Sequence, residues 1–364
     1  MASKLFTPLQ VGNSHLQHRL VMAPLTRFRA DDGHVPLPMV KEYYSQRASV
    51  PGTLLTTEAT LISPRASGYN NVPGIWTPSQ IAAWREITAA VHAKKSFIHL
   101  QLWALGRKAV PDIVQRDGGD FVSSSPIPMT DNSPTPRALT EDEIHHFIRD
   151  YAQAARNAIA AGFDGVEIHG ANGYLIDQFT QDVINKRTDA WGGSVENRAR
   201  FALEVAKAVV DAVGAERVGI RLSPFSSLQG MKMEDPYPTF SYLIRGLKDL
   251  KLAFLHLVES RVEGNADVEP TEKVNPLVDV WGQTSPVFLA GGFKPDSARR
   301  AVDEFADKDV AIVFGRYFIS NPDLPYRIKE DIPLSPYDRD TFYKAKSPDG
   351  FTDYPFSKEF KAKI

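Results

Sequence analysis

The sequence predicts an α/β fold, specifically a (β/α)8 barrel with an N-terminal β-hairpin and an excursion after the third strand. Two observations predict it. Short β-rich runs alternate with amphipathic helical stretches from about Val21 to Arg327, the pattern of parallel βα units. The runs are Val21–Pro24, Thr53–Glu58, Phe97–Leu102, Gly165–His169, Val218–Leu222, Phe254–Leu257, Val287–Ala290 and Val310–Phe314. Eight strands close such a barrel, and 364 residues fit one with insertions, so residues 1–364 are read as a single unit.

Taken in order, the elements justify themselves locally. Phe6–Val11 and His15–Leu20 flank Gly12-Asn13 and read as a hairpin within residues 1–20, placed to plug the barrel floor. Lys41–Arg47 reads as a helix after the first barrel loop. Thr77-Pro78-Ser79-Gln80 is a capping box with proline at the first helical position, ahead of Ile81, Trp84, Ile87 and Val91 on one face. Thr140-Glu141-Asp142-Glu143 is a second capping box, and that helix closes at Gly162. Ser194 caps a third helix that runs to Gly214. The stretch from Ala109 to Arg137, rich in Pro, Ser and Asp, is too long for an ordinary loop and reads as an excursion over the active-site face. The aromatic-rich tail, 335–364, is expected to pack back on the barrel.

Composition narrows the function. Net charge is −2, which argues against capture of nucleic acid or of an anionic membrane. With zero cysteines, disulfides, thiolate chemistry and cysteine-ligated clusters are excluded. The N-terminus lacks a signal-peptide apolar core, and no apolar run reaches the roughly 18 residues of a membrane span. Ala362-Lys363-Ile364 matches a peroxisomal address only faintly, so a soluble, cytoplasmic protein is expected, monomeric or homodimeric.

In a barrel of this kind the reactive groups stand at the C-terminal ends of the strands. The fourth strand ends in His169-Gly170-Ala171-Asn172-Gly173-Tyr174. His169 and Asn172 can both donate hydrogen bonds to one oxygen, and Tyr174 carries a proton it can give away. Two donors converging on a carbonyl beside an acid suit the addition of hydrogen across a conjugated C=C–C=O system. Arg221 ends an otherwise apolar strand and calls for an anion or a flat acceptor; a buried pairing with Glu167 is the other reading. Strand seven ends in Ala290-Gly291-Gly292 and strand eight in Gly315-Arg316.

The chain resembles the Old Yellow Enzyme family of flavin mononucleotide (FMN) ene-reductases. The resemblance rests on Met22–Arg29, Gln101–Arg107, the His169 motif, Trp191–Arg198, Gly315–Leu324 and Tyr337–Tyr343, and is strongest toward fungal members working on ergot-alkaloid aldehydes and other secondary metabolites. It implies bound FMN, with NADPH or NADH as reductant and a small-molecule enone or enal as substrate. Gly291-Gly292 and Gly315-Arg316 would hold the phosphate, since glycine lets backbone N–H groups approach an anion and a guanidinium pairs with it. Arg221 would lie against the N1/O2 edge of the flavin, Gln101 on its pyrimidine edge and Thr26, in its Pro24-Leu25 context, on O4. His169 and Asn172 would grip the substrate carbonyl while Tyr174 protonates Cα. Some ergot-pathway relatives carry phenylalanine at that place and act as isomerases, so tyrosine here implies reduction.

Tyr69, Trp103, Leu228, Gln229, Leu277, Phe342 and Tyr343 are read as shaping the substrate mouth or the flavin rim. Ala59 stands where many members carry glycine, and Leu228-Gln229 replaces an aromatic–amide pair, so substrate identity is left open. A phosphate-handling aldolase or isomerase barrel and a non-catalytic FMN- or phenol-binding protein are the rival readings. Dienoyl-CoA reductases, which need a cysteine-ligated cluster, are excluded.

Overall fold

A computed structural model describes residues 3–260, 262–263, 266–267 and 272–363; Met1, Ala2 and Ile364, at the chain ends read above, lie outside them. Eight parallel strands form the barrel: β1 (Leu20–Met22), β2 (Leu54–Thr56), β3 (Phe97–Trp103), β4 (Gly165–Gly170), β5 (Val218–Leu222), β6 (Phe254–Val258), β7 (Val287–Ala290) and β8 (Val310–Phe314). Each pairs with the next, and β8 returns to β1 through Ile312↔Leu20, Val313↔Val21 and Phe314↔Met22, so the cylinder is closed. All eight predicted runs contain a strand, though the first runs from Leu20 only to Met22 and the second is confined to Leu54–Thr56. A two-residue strand, Thr60–Leu61, extends the sheet beside the end of β3.

Helices wrap the outside: α1 (Pro38–Arg47), α2 (Pro78–His92), α3 (Glu141–Ala160), α4 (Val195–Val213), α5 (Tyr237–Asp249), α6 (Asn275–Trp281), α7 (Pro295–Glu304) and α8 (Leu324–Lys329). Both capping boxes form, with Thr77 and Thr140 accepting from the backbone N–H of Gln80 and Glu143. Ser194 caps α4 and Gly214 ends it. The buried face of α2 is Trp84, Ile87 and Val91, as its 3.6-residue period requires. The excursion contains a helical turn, Pro111–Arg116, and a two-strand pair, Val122–Ser123 with Arg137–Ala138.

The N-terminal hairpin is shorter than predicted. Its strands are Leu9–Val11 and Ser14–Leu16, Lys4–Phe6 forms a 3-10 turn, and Leu20 already belongs to β1. Leu9, Val11 and Leu16 join Val21, Leu54, Phe254, Phe288 and Ala311 in one apolar cluster, so the hairpin does stop the barrel floor. Gly12 makes this possible. Its φ is +53°, and a Cβ there would stand 1.8 Å from the carbonyl oxygen of Glu216 just before β5.

The tail packs back through two buried arginines in the loop after β1. Arg27 donates to the carbonyls of Phe342 (3.1 Å) and Gly350 (2.7 Å), and Arg29 to those of Ser347 (2.8 Å), Phe342 (2.9 Å) and Asp349 (3.0 Å). Main-chain oxygens thus take the place of water around two cations, the condition for burying them.

Replacing Gly12 with alanine should cost about 2 kcal/mol or more in unfolding free energy, from left-handed strain plus the clash. Denaturant titration checks this, and FMN affinity at the opposite end should not change.

Candidate active site

The turn after β4 builds the reactive constellation. Asn172 (φ +57°) and Gly173 (φ +75°) are both left-handed, which doubles the chain back so that Tyr174 opens the short helix Leu175–Thr180. A Cβ at Gly173 would come within 2.9 Å of Met231, so only glycine fits this close approach. Side chains lock the turn. The Asn172 N–H donates to Ser223 Oγ (2.7 Å), the Gly173 N–H to Asp177 Oδ2 (2.8 Å), and Gln178 Nε2 to the Gly173 carbonyl (2.8 Å). Burial pushes the Asp177 carboxyl up to about 7.

This folding brings the His169 and Tyr174 rings edge to face at 5.0 Å, with Trp103 also 5.0 Å from Tyr174. The Ala171 N–H donates to Nδ1 of His169 at 3.3 Å, so that nitrogen carries the lone pair and Nε2 carries the proton. Burial, then the positive charge of Arg221, hold the imidazole well below its ordinary pKa. His169 is therefore a neutral Nε2–H donor. Burial, reinforced by Tyr69 and Tyr343, pushes the Tyr174 phenol well above its usual value, while a hydrogen bond from the Gln229 side chain opposes the shift. The phenol keeps its proton at neutral pH, as a proton donor must.

His169, Asn172 and Tyr174 line one cavity of about 660 Å³ at the C-terminal ends of the strands. Pro24, Thr26, Ala59, Gln101 and Arg221 line it too, as do Tyr69, Trp103, Leu228, Gln229, Phe342 and Tyr343. A second cavity, about 150 Å³, is lined by Ala290, Gly291, Gly292 and Gly315; Pro24, Leu25, Arg221, Val258 and Arg316 line both. The predicted residues from seven strand ends thus converge on two adjoining spaces.

Leu277 does not reach them. It lies on the inner face of α6, wholly buried in the hydrophobic core, because the helical phase turns it toward the barrel wall. Conversely, Val258, Phe28, Lys108, Ser226 and Ile319 line the large cavity without having been singled out as site residues. Val258 ends β6, so strand counting alone reaches it. Phe28 and Ser226 sit in loops, Lys108 in the 3-10 turn Gly106–Lys108 and Ile319 in the short helix Arg316–Ser320, and none of the four carries a chemical signal in the sequence.

The fit to FMN can be judged on the protein alone. Nε of Arg221 is buried with no hydrogen-bond partner among the described residues, on a side chain that lines both cavities, so it is placed for an acceptor from a ligand. In the smaller cavity Gly292 is left-handed (φ +62°), and a Cβ on Gly291 would press on Glu259 Cβ at 2.9 Å. The backbone there can approach an anion as no side-chain-bearing residue could. A cradle after β7 and β8 opening into a polar cleft fits a phosphate at one end and a flat heterocycle at the other. The residues fit the group.

Fold and site together define a flavin-dependent barrel oxidoreductase. The family model for NADH:flavin oxidoreductase / NADH oxidase matches residues 4–335, and the chain belongs to that family. A chanoclavine-I aldehyde reductase of Penicillium roqueforti is 62% identical over 100% of this chain and 99% of its own length. An NADP-dependent oxidoreductase of Aspergillus flavus is 58% identical over 99% of this chain and 98% of its own. The crystal structure of Old Yellow Enzyme from a Pichia species superposes with a TM-score of 0.91 at 40% identity, covering 98% of this chain and 94% of the other. The protein is an FMN enzyme that draws electrons from NAD(P)H.

Because the imidazole is held neutral, nitrogen NMR of His169 should show an unprotonated ring at the pH where a free imidazole is half protonated. A midpoint near 6.5 would refute the assigned tautomer and charge.

Proposed function

We propose that this protein reduces the C=C bond of α,β-unsaturated aldehydes or ketones, in fungal secondary metabolism. The observation that carries the reading is the pairing of a neutral imidazole donor with a protonated, buried phenol 5.0 Å away, ring to ring, in one cavity. His169 Nε2–H and the Asn172 amide hold the substrate carbonyl, and they grip harder as enolate charge develops on its oxygen. This polarises the alkene toward attack at Cβ. FMN, when bound, supplies the redox chemistry, accepting hydride from NAD(P)H and delivering hydride to Cβ. Tyr174 gives its proton to Cα from the opposite side, and the two additions leave a saturated carbonyl compound. Reductant and alkene occupy the one cavity in turn, a ping-pong order. The aldehyde in the name of the Penicillium roqueforti relative supports an enal as the natural substrate.

Gln101, Thr26 and Arg221 hold the heterocycle, and Gly291, Gly292, Gly315 and Arg316 hold its phosphate; Pro24, Ala59 and Ala290 form the wall. Tyr69, Trp103, Leu228, Phe342 and Tyr343 select the substrate.

The test is anaerobic. NADPH bleaches the yellow protein, and added cyclohexenone should restore the colour; a bleached protein that no enone reoxidises would instead be a binding protein. Tyr174→Phe should leave bleaching by NADPH unchanged and slow enone-driven recovery by about 10²–10⁴-fold. Recovery at the wild-type rate would assign the proton to solvent. Asn172→Ala should lower kcat/KM for the enone by about 10²-fold, the scale of one lost oxyanion donor. Arg221→Ala should release FMN on dialysis, and full retention would remove Arg221 from the flavin contact.

A further inference from the structure

Beside the reactive residues the barrel interior buries two polar groups, Glu167 and His256, that the mechanism does not use. Strand register places them. Glu167 on β4 stands level with Gln101 on β3, and Arg221 on β5 stands level with His169 on β4 and His256 on β6. In a closed barrel every second residue points inward, so these side chains meet in the interior. Glu167 is 0% exposed. Its Oε2 accepts from His256 Nδ1 at 2.7 Å and its Oε1 from Gln101 Nε2 at 2.8 Å.

Three consequences follow from the donor set. A carboxylate bonded in this way only accepts, so Gln101 must turn its nitrogen inward. One amide N–H is used on Glu167, leaving the carbonyl oxygen and the second N–H for a ligand with both a donor and an acceptor on one edge. His256 donates through Nδ1, and its Nε2 is buried with no partner among the described residues, which fits a neutral ring. The charge among these groups is then one minus on Glu167 against one plus on Arg221. Burial alone would push the Glu167 carboxyl up, but the hydrogen bond from His256, the Arg221 cation and the Gln101 amide outweigh it, and the group stays ionised.

We infer that Glu167 is a positioning residue that orients Gln101 and offsets the charge of Arg221, and thereby sets how strongly the site prefers reduced over oxidised FMN. The inference rests on the flavin contacts proposed for Gln101 and Arg221. Reduced flavin carries negative charge at the edge assigned to Arg221. A carboxylate behind that guanidinium weakens the attraction, keeping the bound cofactor a better hydride donor to the alkene.

The experiment is spectroelectrochemical titration of the FMN-loaded protein. Glu167→Gln keeps size and an acceptor for Gln101 but removes the charge. It should raise the ratio of reduced to oxidised FMN affinity about tenfold, an interaction of the size expected for one buried charge at this range, which for a two-electron couple is about 30 mV upward. Glu167→Asp keeps the charge and shortens the reach, so its potential should stay near wild type while FMN binds more weakly. An unchanged or lowered potential in Glu167→Gln overturns the inference. An upward shift of the same size in Glu167→Asp also overturns it, since packing and not charge would then be responsible; this second variant decides the matter if the first does not fold. Wild-type protein that takes up no FMN would instead sink the flavin contacts themselves.

Discussion

Leu20–Met22 lies hydrogen-bonded in parallel beside Val310–Phe314, joining the first barrel strand to the last across most of the chain. The mouth of the protein exists because of this pairing. It sets the loop after β1 beside the loop after β8, so Pro24 and Leu25 share both cavities with Arg316. An open sheet would leave those loops apart and expose an unpaired edge. With eight strands the interior is just wide enough to be filled by side chains, so what occupies it is decided by the inward residues of each strand.

Those inward residues divide the barrel into two halves. On β7, β8, β1 and β2 they are apolar, including Phe288, Ala290, Ala311, Val313, Val21 and Leu54. On β3 to β6 they include Gln101, Glu167, His169, Arg221 and His256. The polar half is costly to bury and persists because its groups satisfy one another or await a ligand. The two halves join near the floor, where Phe254 on β6 stacks on Phe288 on β7 with ring centroids 4.3 Å apart and Gly219 leaves room for the Phe254 ring. One side of the cylinder is thus a conventional core and the other supports the site.

The same economy holds at the rim. Glu58, at the end of β2, accepts from the Arg27 N–H, and burial pushes its carboxyl up to about 7. Arg27 and Arg29 find most of their partners among tail carbonyls, which carries Phe342 and Tyr343 to the cavity. Phe28 between them adopts φ +56°, an uncommon conformation for a bulky residue, and its ring meets Tyr69 and Tyr343 at 6.2 and 5.7 Å. The aromatic wall of the mouth is therefore assembled from the β1 loop, the β2 loop and the tail, three segments far apart in the chain.

Much of this was legible in the residues. Alternation of short apolar runs with capped amphipathic helices revealed eight strands, because local periodicity and capping depend on near neighbours. The strand-end rule then picked out His169, Arg221 and Gly315-Arg316, while Thr26 and Gln101 came from the family resemblance. The motif from His169 to Tyr174 was readable since its parts lie within one turn. Leu277 was misplaced because the phase of a short helix against a barrel cannot be read without the barrel. Only the tertiary structure decided the tautomer of His169, the way Gln101 faces and the role of Glu167. Each depends on lateral register between strands dozens of residues apart, and on the dry interior that makes one buried charge answer to another.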